Sequence, residues 1–208
     1  MVQLTPLHCC ALFNVPSQII KFLMKQSSAL AASLMTNMAG QTPLHIAVAQ
    51  PGVKDSISTV LALSSPEAAN VMDRIKRYPI HVACQNKYAS PALIRSLIKL
   101  NVRALSLRAH RGHLPLHLAT QFQLQEAAIT VLLKAYPRAI NSKNKVGNIS
   151  LHNAVRYGAP YGIVKSLLDA FPDIVYMQNQ FGNTALHCAA AYRASRKVMK
   201  LLLEVSHL

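Results

Sequence analysis

Thr42-Pro43-Leu44-His45-Ile46-Ala47 has five echoes along the chain: Thr5-Pro6-Leu7-His8-Cys9-Cys10, Tyr78-Pro79-Ile80-His81-Val82-Ala83, Leu114-Pro115-Leu116-His117-Leu118-Ala119, Ile149-Ser150-Leu151-His152-Asn153-Ala154 and Thr184-Ala185-Leu186-His187-Cys188-Ala189. Successive histidines lie 37, 36, 36, 35 and 35 residues apart. Two places after each comes a small residue: Cys10, Ala47, Ala83, Ala119, Ala154 or Ala189. Gly40, Gly112, Gly147 and Gly182 stand two places before the Thr position of their copies. An apolar pair such as Leu97-Ile98, Leu132-Leu133 or Leu167-Leu168 follows each of the later histidines by about fifteen residues.

Each part of the unit has a physical reading. Proline suits the first turn of a helix, where its missing N–H would have no partner in any case. The small residue lets two helices approach closely. Breaks at Pro51-Gly52, Ser90-Pro91 and Gly158-Ala159-Pro160 end a first helix. Ile163, Val164, Leu167 and Leu168 then fall on one face of a second helix. Asn144-Lys145-Val146-Gly147 and Asn179-Gln180-Phe181-Gly182 read as tight turns in which glycine supplies a positive φ. One such hairpin cannot bury its own apolar face, so neighbouring hairpins must stack.

The repeat resembles the ankyrin repeat, whose core is T-P-L-H-x-A followed by a second helix rich in Val and Leu. The resemblance covers essentially the whole chain. It implies an all-α fold: a solenoid of helix-turn-helix repeats joined by short β-turn or hairpin fingers. It also implies one domain over residues 1–208, with repeats near 1–33, 34–70, 71–106, 107–141, 142–176 and 177–208. The period is slightly longer than the family's. Ala135-Tyr136-Pro137-Arg138-Ala139 and Ala170-Phe171-Pro172-Asp173-Ile174 stand where the family carries Gly-Ala-Asp, and Tyr136 and Phe171 are expected in packing. Three departures carry expectations. Lys76 replaces the turn glycine, so the third turn should be strained or different. Tyr78, Leu114 and Ile149 replace the capping threonine, a loss of about 1 kcal/mol each. Neither end reads as a polar cap, so apolar surface should be exposed there.

Composition narrows function. Apolar residues make up 51% of the 208, and 22 Lys and Arg face 7 Asp and Glu, a net charge of +15. That excess favours acidic proteins, nucleic acid or anionic headgroups as partners. There is no apolar run long enough for a membrane span and no secretory signal pattern. Cys9, Cys10, Cys84 and Cys188 form no C-x-x-C pair and read as buried thiols of a reducing compartment, hence a cytoplasmic location, with the nucleus as the alternative. The carboxylates are scattered, and no G-x-S-x-G, H-E-x-x-H or phosphate loop occurs, so no enzyme, catalytic residue or cofactor is expected. The six motif histidines His8, His45, His81, His117, His152 and His187 sit too far apart in a stack to share a metal, and none is expected. The resemblance implies that they tie each helix to the neighbouring turn.

The family's ligands contact turn tips and the end of the first helix on the concave face. Carried onto this chain, those positions hold Arg74, Arg77, Arg108, His110, Arg111, His113, Lys143 and Lys145 on the turns. Phe122, Arg156, Tyr157 and Tyr192 are their counterparts on the first helices. These twelve are the candidate partner-binding residues. The implied function is a protein-binding scaffold for an acidic partner, with no small-molecule substrate. The alternatives are direct binding of nucleic acid and the repeat region of a larger protein whose activity lies elsewhere.

Overall fold

The computed structural model describes residues 4–13, 15–25, 29–50 and 65–206; the break at Pro51-Gly52 lies outside them. Each copy starts with a short helix led by the recurring motif: α1 (Pro6–Leu12), α4 (Pro43–Ala49), α5 (Pro79–Gln85), α7 (Pro115–Gln121), α9 (Ser150–Arg156) and α11 (Ala185–Ala191). In the first copy α2 (Ser17–Met24) and α3 (Ala29–Leu34) follow α1. The later second helices are α6 (Pro91–Leu100), α8 (Glu126–Ala135), α10 (Tyr161–Ala170) and α12 (Arg196–Ser206). No strand occurs among the described residues, so the connecting fingers are turns without strand pairing.

First helices contact first helices from α1 to α11, and α6, α8, α10 and α12 contact one another in the same order, making two layers. The small residue two places after each histidine is what lets the first layer close. Ala83, Ala119, Ala154 and Ala189 have no exposed surface. Between the layers lie Ile94, Leu97, Ile129, Leu132, Ile163, Val164, Leu167 and Leu168, all buried. The Tyr/Phe-Pro segments form a third element, the 3₁₀ turns Pro137–Asn141 and Pro172–Tyr176, each with proline in its opening turn. Tyr136 packs against the core as expected, but Phe171 is 39% exposed, because its ring lines a surface groove with Leu133 and Pro137. At the first copy Phe13, Ile19 and Phe22 are exposed, and at the last Leu203 is.

The histidines do two jobs at once. Nδ1 accepts the backbone N–H that opens its own helix: Thr5 at 3.2 Å, Thr42 at 3.2 Å, Tyr78 at 3.3 Å, Leu114 at 3.2 Å and Thr184 at 3.3 Å. Nε2–H donates to a carbonyl of the next copy: Gln41, Arg77, Leu107, Asn148 and Asn183, at 2.9–3.1 Å from His8, His45, His81, His117 and His152. This network assigns the neutral Nε2–H tautomer. It does not replace the threonine caps: the capping oxygen serves the histidine's own N–H, as from His8 to Thr5 Oγ1 at 3.4 Å, and Tyr78 and Leu114 lack it, while their own N–H groups are taken by imidazole just as in the threonine copies. Only the fifth copy lacks both, and there His152 Nδ1 and Ser150 Oγ are buried without a partner.

Lys76 meets the other expectation in its strained form. It adopts the left-handed φ 62° that glycine takes in the other turns, and its N–H still reaches Asp73 O at 2.9 Å. Three first helices close in a related way, with Gln123, Gly158 and Arg193 left-handed at φ 56°, 68° and 53°. The N–H groups of Leu124, Ala159 and Ala194 bond back to Ala119, Ala154 and Ala189.

Arg193 occupies a conformation that costs a side-chain-bearing residue about 1–2 kcal/mol, partly offset by the chain entropy glycine would lose. Arg193→Gly should raise unfolding stability by up to about 1 kcal/mol in urea titrations; a loss would refute the strain. His117→Ala strands a buried N–H and a buried carbonyl and should cost about 1–3 kcal/mol beyond its cavity. Burial also pushes the imidazoles of His81 and His117 down to about 4. The unfolded chain therefore takes up these protons first as pH falls below about 6.5. Stability should be complete above that pH and decline down to about pH 4, by on the order of 3 kcal/mol for each of the two. A flat stability profile between pH 7 and 4 would contradict this.

Candidate functional site

Four of the five described turns between copies are built on one side-chain oxygen. Asn37 Oδ1 accepts the N–H groups of Ala39 and Gln41 at 2.9 and 3.0 Å. Asp73 Oδ1 takes Ile75 and Arg77 at 3.1 and 2.8 Å. Asn144 takes Val146 and Asn148, both at 3.0 Å, and Asn179 takes Phe181 and Asn183 at 2.9 and 3.1 Å. Consecutive turns are joined by single backbone bonds: Arg74 N–H to Ala39 O, His110 to Ile75, Lys145 to Arg111 and Gln180 to Val146, at 3.0–3.4 Å. These bonds bring the tips into register. They also explain why glycine suits the corner beyond its φ: a Cβ on Gly112 would lie 3.0 Å from Lys145 N.

The register gathers charge. Arg74, Lys76, Arg108, Arg111, Lys143 and Lys145 line one groove of about 460 Å³ with His110 and Ala109, and no Asp or Glu is among its lining residues. Lys76 is the one cation here that the sequence reading did not single out for binding; its place at the glycine corner was the available signal. Arg108 is braced by Nη1 bonds to Gly112 O at 3.0 Å and Lys143 O at 2.6 Å, which fixes its guanidinium across two turns. A second groove of about 210 Å³ adjoins it, lined by Arg77, Gln85, His110, Arg111, His113, Phe122 and Tyr157. Arg156 lies over the Tyr192 ring at 5.0 Å and the Tyr157 ring at 5.8 Å. With Phe181, Cys188 and Tyr192 it lines a third hollow of about 190 Å³. The twelve candidates thus fall into three adjoining hollows rather than one.

One candidate is already occupied, and a second is drawn into the protein with its buried Nδ1 unpartnered. Arg77 Nε and Nη2 both meet the buried Asp73 Oδ2 at 2.8 Å, and Nη1 meets Gln85 Oε1 at 2.7 Å. Its charge is spent inside the protein. His113 is half-buried, edge-on to His117 with ring centroids 5.8 Å apart. Burial first, then the charges of Arg111 and His110, push its proton affinity down, so it enters the groove as a neutral ring.

Comparisons with known proteins agree with this architecture. Residues 125–207 match the sequence model of the family described as ankyrin repeats (3 copies). Among solved structures, the ankyrin repeat domain of Bcl-3, described as a unique member of the IkappaB protein family, superposes with a TM-score of 0.75. It is 24% identical, and the match covers 97% of this chain and 86% of that one, a likeness that speaks to the fold. No curated protein matches the chain by sequence.

The difference between a committed and a free tip cation is measurable. Arg77→Ala leaves Asp73 charged, buried and short of its partner, which should cost about 3–5 kcal/mol. Arg74→Ala, on the neighbouring exposed position, should change stability by no more than about 0.5 kcal/mol. Equal effects in denaturant titrations would show that Arg77 is as free as Arg74.

Proposed function

We propose that this chain, which matches ankyrin repeats over residues 125–207 and has the fold of an ankyrin repeat domain, is a binding scaffold whose basic turn face holds an acidic segment of a protein partner. The carrying observation is the groove in which three successive turns place six cationic side chains and no carboxylate. Coulombic repulsion within that cluster is relieved by an anionic ligand. The adjoining hollows supply contact area through Phe122, Tyr157, Tyr192 and the Arg156 guanidinium stacked between the last two. In this reading Arg74, Arg108, His110, Arg111, Lys143 and Lys145 touch the ligand, and Arg77 and His113 shape the floor.

The extent of the charge favours a protein segment over a long polyanion. The basic run is bounded by uncharged turns, with exposed Met38 on one side and Phe181 on the other. A short acidic stretch flanked by apolar residues fits that pattern; a nucleic acid backbone wants charge to continue. The reading takes residues 1–208 as one binding domain and the free thiols as those of a cytoplasmic or nuclear protein. No described helix is long and apolar enough to cross a membrane.

Reversal of Arg108, Arg111, Lys143 and Lys145 to Glu should abolish binding of a fluorescent glutamate-rich decapeptide while leaving the circular dichroism melt in place. Reversal of Lys99, Lys134, Lys165 and Lys200, exposed on second helices, should leave most of the affinity. Equal losses would mean diffuse charge rather than a face. Tighter binding of a DNA duplex, with affinity falling as a steep power of salt, would replace the protein partner by nucleic acid.

A further inference from the structure

The turn at the centre of the basic groove is built differently from its neighbours. Ala109 stands where the other described turns carry Asn37, Asp73, Asn144 and Asn179, so no side-chain oxygen is present to take the turn's N–H groups. The backbone has answered by turning one peptide over. Arg111 has φ 58° and ψ 16°, and Gly112 follows at φ 74°, whereas in the other turns only the corner residue is left-handed. With the His110–Arg111 peptide reversed, its carbonyl takes the inside of the turn and receives His113 N–H at 3.5 Å. Arg111 N–H, whose counterparts at Ala39, Ile75, Val146 and Phe181 are held by the Asn or Asp oxygen, has no partner among the described residues. The residue that carries this free main-chain donor lines the groove with the five other cationic side chains.

Resting on the acidic-partner reading, we propose that this turn is a phosphate-binding site that recognises a phosphorylated Ser or Thr in the partner segment. The donor set suits a phosphomonoester better than a carboxylate. A phosphoryl group brings three acceptor oxygens and a charge of about −1.5 to −2 near neutral pH. The groove offers one oriented backbone N–H, the Arg111 side chain, and Arg108, whose Nη1 is pinned to Gly112 and Lys143 carbonyls with Nε and Nη2 left over. Planar guanidinium forks match phosphoryl oxygens in pairs. The lining residues include no Phe, Tyr or Trp on which nucleic acid bases would stack, so an isolated phosphate on a peptide fits this groove better than a nucleotide strand.

Ala109→Asn tests the site without changing a charge. It restores the side-chain oxygen, returns the peptide to the orientation of the other turns and withdraws the Arg111 N–H. Affinity would be measured by calorimetry on the full chain for three tripeptides, acetyl-Gly-phosphoserine-Gly-amide and its Glu and Ser counterparts. Nuclear magnetic resonance would follow the Arg111 amide during titration with inorganic phosphate. The expected results are at least ten-fold tighter binding of the phosphopeptide than of the Glu peptide and the largest amide shift at Arg111. Ala109→Asn should raise the melting temperature and remove at least ten-fold of the phosphopeptide affinity, and Arg108→Gln should lower that affinity on an unchanged fold. If the Glu peptide binds as tightly and Ala109→Asn has no effect, the phosphate site is overturned while the acidic-partner reading stands. If neither peptide binds, both fall. A DNA duplex that outcompetes the phosphopeptide would assign the groove to nucleic acid instead.

Discussion

One imidazole ring per copy couples this structure along its length. In the first four copies its Nδ1 accepts the N–H at the start of its own first helix and its Nε2–H donates to the segment that opens the next copy; His152 keeps only the bond to the next copy and His187 only the bond to its own helix. A hydrogen-bonded ring that bridges two copies converts a row of short helices, each only seven residues long, into a coupled array. None of these helices would persist alone in water, since forming a first turn is costly and seven residues recover too little of it. Stability must come from stacking, and the histidine sets the stacking register. Desolvation lowers the proton affinity of His45, His81, His117 and His152, which favours the neutral ring that an accepting Nδ1 requires.

The same register places the turns. Bonded tip to tip, they bring residues more than thirty positions apart in sequence into one groove, as Arg108 Nη1 does in reaching Lys143 O. The array tolerates this concentration of like charge because the tips add little to the core. The buried layer behind them, from Leu44 and Ile46 through Leu116 to Leu151, is apolar and does not depend on what the tips carry. A repeat scaffold can therefore vary its recognition residues at small cost in stability. The exceptions are residues such as Asp73 and Arg77, which lie on a turn but are held within it.

Departures from the repeat divide into two kinds. Tyr78, Leu114 and Lys76 depart in sequence while the local geometry persists: the imidazole bond to the helix-opening N–H needs no threonine oxygen, and Lys76 takes glycine's left-handed φ at a cost in strain. Ala109 departs and the geometry changes with it, because nothing nearby replaces an oxygen that held two N–H groups. The largest of the three hollows described on the face surrounds that second kind of departure.

The histidines' bridging role was implied by the resemblance to ankyrin repeats, while the two-helix unit, its period and the small residue after each histidine were legible in the amino-acid order. They rest on local patterns that repeat six times, each with a short-range physical cause. The basic character of the turns was legible as well, from composition and position. What only the tertiary structure decided was which of those cations are free. Arg77 and Arg74 are both turn arginines three residues apart, and no local pattern distinguishes the one that Asp73 and Gln85 hold from the one that faces the groove. Ala109 reads as an unremarkable alanine until the other turns are seen to hang on an oxygen at that place. The reversed peptide and the exposed Arg111 N–H follow from hydrogen-bond partners across the turn and between stacked copies. Those partners are set by how the repeats pack, a property of the array and not of any one stretch of its sequence.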